Sequence, residues 1–119
     1  MNSVSLIGRM TKDIEIRYSA NQTAIGRFSI AVDRIGRERG TDFINIIVFG
    51  KLAEMCERYK HKGERIGVCG RIQTGSYQKD GRKVYTTEVI ADSLDFMFEK
   101  KKEEPEYEGF STVETQIPF

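Results

Sequence analysis

A single helical period interrupts a chain otherwise patterned in twos, and that interruption limits the architectures open to it. In KLAEMCERYKHKG the apolar positions Leu52, Met55, Cys56 and Tyr59 recur at steps of three and four, and Gly63 offers a C-terminal stop. Around this helix lie five strand-like runs: VSLIGRM, which DIEIRY follows; AIGRFSIAVDR; DFINIIVFG; ERIGVCGRIQTGSY; and KVYTTEVIADSLDFMF. In the second run Phe28, Ile30 and Val32 alternate with Arg27, Ser29 and Ala31, the period of a half-buried strand. Gly67, Gly70 and Gly75 punctuate the fourth run, as the bends or bulges of a small closed barrel require. Asp80–Gly81, between the last two runs, is a hairpin signal.

One helix between the third and fourth strands of a five-stranded antiparallel barrel is the plan of an OB-fold, all-β apart from that helix. An SH3-like barrel has no full helix at that point, and split ferredoxin-like folds require two. A chain of 119 residues supports one domain with a modest core. We place that domain at residues 1–99 and a flexible, disordered acidic tail with an apolar tip at 100–119. Charge divides the same way. From Glu103 onward there are five Glu and no Lys or Arg, so the remainder holds 19 basic against 13 acidic residues, or +6. A basic body with an acidic tail suggests a polyanion partner for the body and a separate task for the tail; a solubilising tail is the plainer alternative. No run approaches the roughly 18 apolar residues of a membrane span, and the N-terminus lacks the pattern of a secretory signal. Cys56 and Cys69 are too few for a disulfide framework, so a reduced, cytoplasmic setting is the expectation.

The run DFINIIVFG bears on function. Alternation sends Ile44, Ile46 and Val48 toward the core and Phe43, Asn45, Ile47 and Phe49 to the opposite face. That second face either packs on a subunit or on the helix, or offers Phe43 and Phe49 as a platform for unpaired bases. Stacking on such rings contributes roughly 1–3 kcal/mol per base and tolerates any sequence. Cations for the phosphates are at hand: Arg34, Arg37 and Arg39 precede the run, Lys51 follows it, and Lys79, Arg82 and Lys83 surround the hairpin turn. Tyr77 adds a third ring on the alternation phase of Arg71 and Gln73. Rings interleaved with basic loops favour a nucleic-acid platform over a purely packed face.

GRMTKDIEIRY, RFSIAVDR, DFINIIVFGKLAE, YKHKGERIGVCGRIQT and VYTTEV, in this order, resemble the bacterial single-stranded DNA-binding proteins across about Asn2–Phe98. The resemblance implies sequence-independent binding and protection of single-stranded DNA in replication, recombination and repair. It assigns stacking to Phe43, Phe49 and Tyr77 and phosphate contacts to Lys51 and Lys62; Arg34, Arg71, Lys79, Arg82 and Lys83 are added from charge and placement. The family often has tryptophan at the first and last ring positions, whereas this chain has no Trp. A further family aromatic falls near Ile35–Gly36, and Gly36 has no ring. The resemblance also implies a homotetramer, a dimer of dimers joined through VSLIGRM. The final Ile117, Pro118 and Phe119 resemble the family's tip, which docks on replication, recombination and repair enzymes. Here VETQ precedes the tip where the family carries aspartates, implying weaker and more salt-sensitive docking.

No catalytic constellation, metal site or cofactor motif is expected. His61 with Cys56 and Cys69 has the spacing of no common metal site and no fourth ligand. GRERG lacks the order of a phosphate loop, and no nucleophile has an evident base. The chain reads as a non-enzyme. Two other readings are an OB-fold interaction module of a primosome-like assembly and an RNA-binding domain of the cold-shock type. A pure scaffold has no use for exposed rings, and the cold-shock type lacks the helix and the tip.

Overall fold

A computed structural model of the chain describes residues 1–37 and 39–98. The expected 100–119 tail, with Ile117, Pro118 and Phe119, lies outside the described residues. The elements run β1 (Val4–Met10), β2 (Glu15–Tyr18), β3 (Ala24–Asp33), β4 (Thr41–Phe49), α1 (Lys51–Tyr59), β5 (Arg65–Lys79) and β6 (Arg82–Asp95). The strands pair in the order β1-β5-β6-β4-β3-β2, and a β1–β3 pairing closes the barrel.

Two expectations need correction. The helix stands between the fourth and fifth of six strands, not the third and fourth of five. The cause is local: β1 and β2 share one edge of β3. Arg9 and Met10 pair with Ala31 and Ile30, whereas Glu15–Tyr18 pair with Arg27–Ala24. The chain leaves the ladder between them, so what reads as one opening stretch is two strands laid end to end. Nor is the barrel wholly antiparallel. Within it β4 and β6 pair in parallel, at Ile46↔Val89 and Ile47↔Ile90.

Alternation sets the core. Phe28 and Ile30 from β3, Ile46 and Val48 from β4, and Ile66 and Val68 from β5 are fully buried with Met10 and Cys56. Burial of each large apolar side chain contributes roughly 1.5–3 kcal/mol toward closing the barrel. Helix α1 covers one end, presenting Ala53 and Cys56 to the core and packing on β2, β3 and β4. It enters from Gly50, whose N–H donates to the Ala24 carbonyl (2.8 Å), and ends where the Lys60 N–H donates to the Cys56 carbonyl (2.9 Å).

The β5–β6 hairpin extends past this core. Every residue of β5 from Arg71 to Lys79 is exposed. The ladder register shifts between Cys69 and Gly70, and a Cβ at Gly70 would lie 2.0 Å from the Ile90 carbonyl oxygen. Only glycine permits that approach, so the bend at which the hairpin leaves the barrel depends on it. At the far end Asp80 (φ 52) and Gly81 (φ 76) form the two-residue turn between Lys79 and Arg82, with the paired positive angles of a type I′ hairpin. At its base the Asn2 side chain exchanges two 2.8 Å hydrogen bonds with the Ile72 backbone, extending the β1–β5 ladder.

Candidate nucleic-acid interface

Strand register assembles one outer face from four strands. On β4 it carries Phe43, Asn45, Ile47 and Phe49, opposite Ala31, Ser29, Arg27 and Ile25 of β3. The Ile47↔Ile90 pair continues it onto β6, where Glu88 shares the phase of Ile90. The Arg71↔Ile90 and Gln73↔Glu88 pairs carry it to β5, and two-residue steps reach Tyr77 and Lys79. Phe43, Phe49, Tyr77 and Arg71 therefore share a surface although 34 positions separate the first ring from the last.

The rings are accessible. Phe43 is 69% exposed, Phe49 47% and Tyr77 51%. The inward residues behave oppositely, since Ile46 and Val48 are buried and Ile44 packs against the core. Large apolar side chains left in water on a strand whose other face is the core are informative. One outward residue departs from this: Ile47 is 5% exposed, beside Ile90 at 4%. The parallel β4–β6 pairing brings the two together, and Arg27 Nη1 donates to Glu88 Oε2 (3.2 Å) on the same face. A small groove of about 200 Å³ opens there, lined in part by Arg27, Ser29, Asn45, Ile47 and Glu88. Arg27 and Glu88 were not among the expected binding residues, and Asn45 was expected on this face without a role. The alternation of RFSIAVDR and YTTEV carried the signal, because it turns Arg27 and Glu88 outward together.

The expected cations fall into groups. Lys79 and Arg82 face each other across the hairpin turn on the phase of Tyr77. Lys83 lies on the other face of the hairpin with Tyr85, its Nζ 5.8 Å from that ring's centre. Arg71 is on the platform face, with Nη1 3.8 Å from Asp92. Lys51 opens α1, two residues beyond Phe49, and Lys62 sits in the turn after the helix, its N–H donating to Asp13 Oδ1 (2.7 Å). No strand register ties Lys51 or Lys62 to the platform. Arg34 is committed elsewhere. Its Nε and Nη2 donate to Asp42 Oδ1 at 3.0 and 2.9 Å. This hydrogen bond holds the Asp42 carboxyl below the usual carboxylate range and raises the Arg34 guanidinium.

Elsewhere Cys56 is buried, which pushes its thiol up to about 11, while Cys69 is exposed. Among the described residues there is no group of three His, Cys, Asp or Glu suited to a metal, and no helix long and apolar enough to cross a membrane.

Comparison with known proteins identifies the family. A family model described as "Single-strand binding protein family" matches residues 1–97. The single-stranded DNA-binding protein of Clostridium perfringens is 48% identical over 99 residues, covering 82% of this chain and 66% of the relative. Single-stranded DNA-binding protein 2 of Staphylococcus aureus is 47% identical over 102 residues, covering 82% and 73%. The single-stranded DNA-binding protein of Clostridium tetani is 44% identical over 120 residues, covering 97% and 83%. Among solved structures, one titled "Plasmodium falciparum SSB complex with ssDNA" superimposes with a TM-score of 0.77 at 24% identity. It covers 82% of this chain and 96% of its own, a likeness of fold.

Proposed function

This chain belongs to the single-strand binding protein family, and from that premise we propose that it binds and protects single-stranded DNA with broad sequence tolerance during replication, recombination and repair. One observation carries the reading: Phe43, Phe49 and Tyr77 stand exposed on one continuous sheet face. Unpaired bases stack on these rings, and duplex bases, already stacked on each other, cannot. Lys79, Arg82 and Arg71 meet phosphates along the β5–β6 hairpin, with Lys83 on its other face and Lys51 and Lys62 near the helix. Binding releases counterions and weakens with salt.

The protein acts without catalysis, in the bacterial cytoplasm, and requires no cofactor. Residues 1–99 form the binding domain, four copies assemble as a dimer of dimers through β1, and residues 100–119 recruit partner enzymes. At the tip, the Phe119 ring and Ile117 would enter an apolar pocket while the terminal carboxylate meets a cation.

Competition between oligo-dT and duplex of equal length tests the core of this proposal. The intact protein is expected to hold oligo-dT when duplex is in large excess. Equal competition by duplex would overturn it.

A further inference from the structure

Phe43 and Phe49 are six residues apart on one strand, roughly 20 Å at about 3.3 Å per residue. Stacked neighbours in a nucleic-acid strand advance only about 3.4 Å. A strand resting on both rings therefore carries several nucleotides across the interval, and those nucleotides meet no ring there. They meet the groove of about 200 Å³ whose lining includes Lys12, Glu15, Arg27, Ser29, Asn45 and Glu88. Two carboxylates line it: Glu15, which is 66% exposed at its side chain and 3.9 Å from Lys12 Nζ, and Glu88. A carboxylate on a phosphate track repels the ligand, and Glu88 is only 25% exposed at its side chain. Its Oε2 accepts from Arg27 Nη1, while Oε1 accepts from no protein donor among the described residues.

We infer that Arg27 holds Glu88 so that Oε1 accepts a hydrogen bond from the exocyclic amino group of a base crossing the groove. This rests on the single-strand binding proposed above and adds a local preference to it. Guanine, adenine and cytosine each carry such an amino group; thymine carries none and presents a carbonyl oxygen instead. Arg27 donates to an acceptor ring nitrogen beside that amino group, so donor and acceptor are matched side by side. The dispersed preference is small against stacking, which leaves binding broad. As mere cover for Ile47 and Ile90, the pair would be indifferent to which base lies above it.

Three oligonucleotides of one length, titrated against the full chain in lithium salt, separate these cases. One is all thymine, one has an isolated guanine at every third position, and one has inosine at those same positions. Inosine differs from guanine only by loss of the amino group. The guanine strand should bind about tenfold more tightly than the inosine strand, or better, as one charge-assisted hydrogen bond implies. In the Glu88→Met variant that ratio should fall to one. Equal affinities for guanine and inosine in the unaltered protein would overturn the inference without any variant, and a ratio that persists in Glu88→Met would also overturn it. Failure to bind even the all-thymine strand would instead remove the platform on which it rests.

Discussion

Arg34 illustrates how a charge can stand near a binding face and be spoken for. Its guanidinium grips Asp42 Oδ1 from two nitrogens, one residue before Phe43. Because the Asp42 carboxyl is held below its ordinary value, the pair contributes above the unfolded carboxylate range and is lost as pH falls through the lowered folded value. Both groups are solvent-exposed, so this contribution to folding is small. The larger consequence is for DNA. Asp42→Asn should release Arg34 to a phosphate, raise affinity for oligo-dT and steepen the slope of log K against log salt by about 0.7. An unchanged or shallower slope would show that Arg34 never reaches the backbone. From sequence Arg34 looks like a free loop cation, because its partner comes close only when β3 and β4 pair at Asp33↔Thr41.

At the level of elements, the β5–β6 hairpin sets where Tyr77 stands. Its exit from the barrel passes Gly70, where a methyl group would meet the Ile90 carbonyl at 2.0 Å. Gly70→Ala should cost about 3 kcal/mol in denaturant unfolding, at the upper end of ordinary overpacking; a change below about 0.5 kcal/mol would mean the ladder shifts freely. Much of this was legible beforehand. Gly70 interrupts an otherwise β-rich run, Asp80–Gly81 marks the turn, and strict alternation in DFINIIVFG separates Ile46 and Val48 from Phe43 and Phe49. Other features were not. That β1 and β2 divide one edge of β3, and that β4 meets β6 in parallel, depend on strand ends brought together by closure. Ile47 is buried for the same reason, since its cover comes from β6.

At the scale of the whole molecule the charge asymmetry, a +6 body and a tail carrying five Glu, underlies the proposed division of work. Tail and body should then be separable. Deleting Ile117–Phe119 should leave oligo-dT affinity within about twofold, since none of the platform residues is touched, and abolish capture of partner enzymes. Equal capture with and without the tip would remove the docking role. The central claim concerns the rings. Phe43 and Phe49 are already exposed, so replacing both by Ala should leave fold and assembly intact by circular dichroism and light scattering. Two stacking contacts at roughly 1–3 kcal/mol each predict at least about a thirtyfold loss of affinity for oligo-dT. The most direct measurement is that titration: a loss of this size is the predicted result, and undiminished binding by a folded, normally assembled double variant would contradict the account.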